Sequence, residues 1–156
     1  MAQITLLETA SGSVATPASG KASIFVDSSN GLLSIKDDAG AVSSVGQGTS
    51  IPQNSQSAAY TLVLSDAGKH ILHPSADTTA RTWTIPANSS VAFPIGTAVT
   101  FVNQNAAGTI TIAITTDTMR LAGAGTAGSR LLAANGIATA LKITSTEWII
   151  SGTGLT

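Results

Sequence analysis

Apolar and polar positions alternate with period two along most of the chain. Tyr60, Leu62 and Leu64 fall on one face. Ile110, Ile112 and Ile114 fall on another, with Thr109, Thr111 and Thr115 opposite. Ile137, Thr139, Leu141 and Ile143 repeat the pattern, and Trp148 and Ile150 close it. Successive side chains of a strand point to opposite faces, so this alternation predicts strands that each bury one face. No segment sustains a 3.6-residue apolar period, so helix is expected only as a turn or two. Asp66-Ala67-Gly68, Asn88-Ser89-Ser90, Asn105-Ala106-Ala107-Gly108, Gly123-Ala124-Gly125 and Asn135-Gly136 punctuate the runs with turn residues. The expected class is all-β: a β-sandwich, jelly-roll-like, over residues 58–156.

A smaller β module is expected over residues 1–45. Ile4, Leu6 and Leu7 mark a first extended segment. Residues 22–26 and 32–36 form two runs joined through Asp27-Ser28-Ser29-Asn30-Gly31, and Asp37-Asp38-Ala39-Gly40 leads into residues 41–45. Asn30-Gly31 tolerates the positive φ of a hairpin turn, so a β-hairpin or meander is predicted. Isolated hairpins are marginal in water, so this arm needs a partner. Between the two parts, residues 46–57 (Gly-Gln-Gly-Thr-Ser-Ile-Pro-Gln-Asn-Ser-Gln-Ser) read as a linker.

Composition narrows the functional classes. Charged residues are 10 % of the 156, hydrophobic residues 43 % and aromatics 4 %, with a net charge of −1. An average soluble chain is about 25 % charged. Interface cores are depleted in charge, which points to assembly. Lys21, Lys36, Lys69, Arg81, Arg120, Arg130 and Lys142 are scattered, so no basic stripe for direct nucleic-acid binding is expected. There is no cysteine, and no stretch approaches the roughly 18 apolar residues of a membrane span. The N-terminus has no basic region followed by a long apolar run, so it does not read as a signal peptide.

Candidate chemistry is sparse. His70 and His73 stand three apart in a predicted strand and point to opposite faces, so they are not expected to share a metal. Asp37 and Asp38 beside Gly40 read as a solvated turn, short of the roughly six oxygens that calcium needs. No Gly-x-Ser-x-Gly elbow and no evident carboxylate pair suggest an enzyme. Residues 123–130 are glycine-rich but lack Gly-Lys-Ser/Thr, so they read as a surface loop. No cofactor, metal or catalytic residue is expected. Tyr60, Trp83, Pro86, Phe93 and Trp148 read as fold determinants: aromatic core anchors, and a proline that ends the strand at Ile85.

Tyr60-Thr61-Leu62-Val63-Leu64-Ser65-Asp66-Ala67-Gly68-Lys69, Trp83-Thr84-Ile85-Pro86-Ala87-Asn88-Ser89-Ser90-Val91-Ala92-Phe93-Pro94-Ile95-Gly96-Thr97 and Glu147-Trp148-Ile149-Ile150-Ser151-Gly152 resemble a domain of tailed-bacteriophage virion proteins. Thr16-Pro17, Gly20-Lys21, Phe25-Val26-Asp27, Gly31, Lys36-Asp37 and Gly40 resemble a hairpin motif near the start of phage fibre and capsid-decoration proteins. Together the two cover most of the chain. The resemblance implies a non-enzymatic virion structural protein, a capsid decoration (cement) protein on the outer capsid surface. It implies the major capsid protein and other copies of the chain, as a homotrimer, for partners. Ile4, Leu6, Leu7, Ile24, Phe25, Leu33 and Ile35 are the expected coat-binding residues. The alternative is a tail-fibre or tail-tip adhesin that binds host glycans.

Overall fold

The computed structural model describes Leu6 and residues 8–45, 50–104 and 106–156. The chain forms two compact units, Met1–Ser50 and Ile51–Thr156. Strands dominate both, with two single 3-10 turns, Ser11–Ser13 and Leu64–Asp66, among the described residues. The all-β, sandwich-like expectation is met.

The first unit holds one sheet. Strands β1 (Glu8–Thr9), β2 (Ser23–Asp27), β3 (Leu32–Lys36) and β4 (Val42–Ser44) lie in that order. The pairs β2–β3 and β3–β4 are antiparallel, and β1 runs parallel to β2. The predicted hairpin forms at Asn30-Gly31. Gly31 has φ 69°, and the Asn30 side chain accepts from the Leu32 N–H at 2.8 Å. The turn at residues 37–40 is also as predicted. Asp37 Oδ1 accepts from the backbone of Ala39 and Ala41, which leaves that carboxylate committed to its own turn. Ile4 and Leu7 lie outside the described residues. Leu6 is exposed, and the first strand begins after it, at Glu8.

The second unit contains strands β5 (Gln53–Ser55), β6 (Tyr60–Thr61), β7 (His70–His73), β8 (Arg81–Ile85), β9 (Ala98–Asn103), β10 (Ile110–Ile114), β11 (Thr118–Leu121), β12 (Arg130–Lys142) and β13 (Glu147–Leu155). Six of them build two parallel ladders, β5–β7–β9 and β6–β8–β10. The long strand β12 then runs antiparallel to both. Residues 130–132 pair with β10 and residues 137–141 with β9. The change of partner falls at Asn135 (φ 61°) and Gly136, where the register against β13 also shifts. The predicted Asn135-Gly136 turn is thus a bend inside one strand. β13 lies along β12, and β11 pairs with it in parallel.

The core lies between the ladders. Trp83 on β8 meets Phe101 on β9 with ring centroids 6.2 Å apart, and Ile71, Ile85, Ile110, Ile112, Leu132 and Ile150 surround them. Trp83, Phe93 and Trp148 are buried as expected, and so is Pro86, directly after β8. The Trp83 indole N–H donates to Ala58 O at 3.1 Å, so its one polar atom is satisfied. Tyr60 is half-buried and donates its hydroxyl to Asp66 at 2.7 Å.

Three expectations need correction. Residues 51–57 are not linker, because Gln53–Ser55 forms the edge strand β5 and belongs to the second unit. Its polarity misled: the Asn54 side chain turns to Tyr60 and Asp66, so a polar strand still has interior partners. Residues 46–49 lie outside the described residues. Leu64 does not continue a strand from Tyr60, since β6 stops at Thr61 and Leu64 sits exposed in the second 3-10 turn. On β12 the alternation is real but its faces are reversed. Ile137 is 49 % exposed and Leu141 39 %, while Ala138, Ala140 and Lys142 point inward. Small side chains are needed there because Ala138 lies under the close approach of Gly152: a Cβ at 152 would collide with Ile137 O and Ala138.

Candidate functional site

The first unit's sheet has an inverted polarity. Phe25 and Asp27 on β2 and Ser34 and Lys36 on β3 are buried on one face. Ile24 and Val26 on β2 face the other way, and Ile35 and Leu33 stand directly across from them. Ile24 is 59 % exposed and Leu33 39 %, with Val26 and Ile35 half-buried. Four aliphatic side chains therefore form one cross-strand cluster on the outside.

The polar inner face is held by specific partners. Lys36 Nζ donates to Val14 O at 2.7 Å and Ser11 O at 3.2 Å, tying the first 3-10 turn to β3. Asp27 Oδ1 accepts from the Ser29 N–H at 3.0 Å and its hydroxyl at 2.8 Å. These two bonds, backbone first, hold the Asp27 carboxyl below the usual carboxylate range. Spending the inner face on such contacts leaves the aliphatic cluster with no interior to enter.

Of the residues expected to bind a partner, Ile24, Leu33 and Ile35 thus come together on one face. Phe25 does not. It is 5 % exposed on the opposite face, because neighbours in a strand alternate sides. Val26, not singled out from the sequence, completes the cluster. β4 offers a second feature. Its three residues are all exposed, and β3 is its one strand partner among the described residues. Such an edge presents backbone groups for strand addition.

A second uncharged surface lies on the other unit. Ile137, Thr139 and Leu141 of β12 sit beside Val102, Thr100 and Ala98 of β9. On the other side they meet Thr153, Ser151 and Ile149 of β13. The Thr100 and Thr139 hydroxyls bond at 3.0 Å. The Arg120–Glu147 ion pair, 2.5 Å, stands at the β11 margin.

One polar cluster is buried in the second unit. His73 is fully buried. Its Nε2 faces Asp77 Oδ2 at 3.0 Å, and its Nδ1 faces Asn103 Oδ1 at 3.0 Å and Gly108 O at 3.2 Å. The Asn103 amide nitrogen donates to Gly108 O and Leu132 O, which fixes the amide's orientation and leaves Oδ1 as an acceptor. Both ring nitrogens therefore face oxygen atoms. Arg81 closes the cluster on Asp77 at 2.7 and 3.1 Å. Arg81 first, and His73 second, hold the Asp77 carboxyl well below the usual carboxylate range, and Asp77 in turn raises the Arg81 guanidinium. His70 points away from His73, toward Ile51 O and Gln53. Among the described residues, no group of three or more His, Asp or Glu side chains could hold a metal ion.

The glycine-rich loop at residues 123–128 lies exposed and is held by arginines. Arg120 donates to Gly125 O, and Arg130 to the Thr126 carbonyl and hydroxyl. No protein-family model matches the chain, and no curated protein matches it.

Proposed function

We propose that the chain is a non-enzymatic virion structural protein, a capsid decoration protein that binds the outer surface of a bacteriophage head and clamps its coat subunits. The observation that supports this best is the outward aliphatic cluster Ile24, Val26, Leu33 and Ile35, opposite a face that buries Asp27, Ser34 and Lys36 with Phe25. A face of this kind gains by meeting an apolar partner surface. The major capsid protein is the partner, with the exposed β4 edge adding backbone hydrogen bonds.

Each contact is small, since fully burying one aliphatic side chain contributes about 1.5–3 kcal/mol. Several copies linked in one assembly turn small contacts into strong attachment. The uncharged β9–β12–β13 surface suits self-association into a homotrimer. Stabilisation of the shell then follows mass action: the protein binds the assembled lattice and not its separated subunits.

Cryo-electron microscopy of intact virions tests the proposal. Density repeated over the icosahedral shell, with residues 24–35 against the coat, is the expected result. Density confined to the tail would overturn it and favour an adhesin, for which glycan binding by residues 51–156 becomes the question.

A further inference from the structure

In the first unit, strand β2 keeps an open edge. Its parallel pairing with β1 covers two positions, Glu8 opposite Val26 and Thr9 opposite Asp27. Ser23, Ile24 and Phe25 have β3 on one side and no strand on the other among the described residues. Neighbouring bonds fix where the backbone groups point. Val45 N–H donates to Leu33 O at 2.7 Å, so the Leu33 backbone is turned to β4. Val26, opposite Leu33, therefore turns its own groups away from β3, and so does Ile24 two residues earlier. On the other strand, Thr9 O accepts from Ser28 N–H at 3.0 Å, so the Thr9 backbone faces β2. The Ile24 N–H and C=O are thus aimed at the path by which the chain arrives at β1.

The residues before Glu8 match that edge. Carried back in the register of β1, Thr5 falls opposite Ser23, Leu6 opposite Ile24 and Leu7 opposite Phe25. Hydroxyl meets hydroxyl, aliphatic meets aliphatic, and leucine meets phenylalanine, the like-with-like pairs that stabilise neighbouring strands. A slip of one residue would exchange the two faces and lose all three matches. Three extended residues span about 10 Å, enough to run from Glu8 along the whole open stretch. Glu8 is exposed and Thr9 half-buried, as an outer and an inner position require, and Leu6 is 41 % exposed. Thr5 and Leu7 lie outside the described residues.

We propose that residues 5–7 of the same chain occupy this edge and lengthen β1 to Thr5–Thr9, so that Leu6 joins Ile24, Val26, Leu33 and Ile35 in the face that meets the coat. In the pattern of a parallel pair, Leu7 N–H donates to Ile24 O, and Thr5 O accepts from Ile24 N–H. Leu7 turns inward beside Phe25 and makes no coat contact. The strand rests on the geometry of the sheet alone, and the part given to Leu6 in binding rests on the function proposed above.

The chain has no cysteine, so paired substitutions report proximity directly. Opposed residues of neighbouring strands stand about 4.8 Å apart, inside the roughly 4.4–6.8 Å Cα span of a disulfide. Under mild oxidation of the full chain, Leu6→Cys with Ile24→Cys should link within one chain, read by non-reducing electrophoresis and peptide mapping. Both positions are exposed, so the fold should tolerate the pair. Leu6→Cys with Val45→Cys, three strand spacings or about 14 Å apart, should not link. A link between two chains would give the edge to a second copy and overturn the proposal, and so would equal yields from both pairs. In the unsubstituted chain the Ile24 amide should be protected from hydrogen exchange as strongly as that of Phe25. Exchange at Ile24 as fast as in an unstructured peptide overturns the strand, whatever the cysteine variants do. Leu6→Lys should weaken sedimentation with virions about tenfold or more, the worth of one buried aliphatic contact. Undiminished binding alongside the intrachain link overturns the coat contact of Leu6 and leaves the strand in place.

Discussion

The two units use the same alternation in opposite senses. In the second unit Ile71, Trp83, Ile85, Ile110 and Ile112 of β7, β8 and β10 point inward, and threonines such as Thr82, Thr84 and Thr111 point outward. In the first unit Asp27, Ser34 and Lys36 point inward with Phe25, and Ile24, Val26, Leu33 and Ile35 point outward or lie half-buried. The second unit therefore encloses its large apolar side chains, whereas the inner face of the first is held by hydrogen bonds and its aliphatic side chains stay outside. Period two identifies a pair of faces, and the surroundings decide which one is buried.

The comparison can be broken most severely in the second core. Trp148→Ala should cost about 3–5 kcal/mol in urea unfolding of the second unit, the usual range for deleting a buried large aromatic. A loss below about 1 kcal/mol would place the ring outside the core and remove the contrast. The first unit should respond instead to a polar deletion. Lys36→Met strands the carbonyls of Ser11 and Val14, at about 1–3 kcal/mol. Amide exchange should quicken across residues 8–45, and unchanged protection there would show that the hydrogen bonds do not hold the sheet.

Acid sharpens the contrast further. The Asp77 carboxyl titrates lower in the folded chain than in the unfolded one. Its contribution is present above the unfolded carboxyl value, about 3.9, and is lost as pH falls through the lower folded value. An acid titration followed by tryptophan fluorescence should therefore show the second unit losing stability progressively as pH falls below about 4, and Asp77→Asn should weaken that dependence. An identical acid midpoint in the variant would show that the cluster does not govern acid stability. The smallest effect on stability belongs to the outer face of the first unit. Ile24→Lys and Leu33→Lys should change folding stability by less than about 0.5 kcal/mol, yet abolish binding to virions in a sedimentation assay. Binding at the original level by both variants would take the aliphatic cluster out of the interface.

Much of this architecture was legible in the residues. The Asn30-Gly31 hairpin, the turn at Asp37 and the burial of Trp83, Phe93 and Trp148 follow from local chemistry, which a sequence carries directly. The inward face of β12 does not. Ile137, Leu141 and Ile143 outrank Ala138 and Ala140 in hydrophobicity, and only the close approach of Gly152 shows why alanine is required inside. Parallel pairing was hidden because alternation is the same in both directions. Strand β5 was hidden because its polar residues serve partners at Tyr60 and Asp66. The His73 cluster did leave a trace: His73, Asp77 and Arg81 are evenly spaced within nine positions of a chain with 10 % charged residues. That spacing was readable, but Asn103 joins them from another strand and only the fold brings it there.

The partner change within β12 carries a consequence for biosynthesis. Both ladders end on strands, β9 and β10, whose outer edges are occupied by residues 130–141. Until those residues have left the ribosome, both edges stay open at once, and pairings over such sequence distances form slowly. The second unit should therefore fold late and in one step, during or after emergence of β12. Until then its two unfinished edges are the surfaces by which nascent chains would associate wrongly.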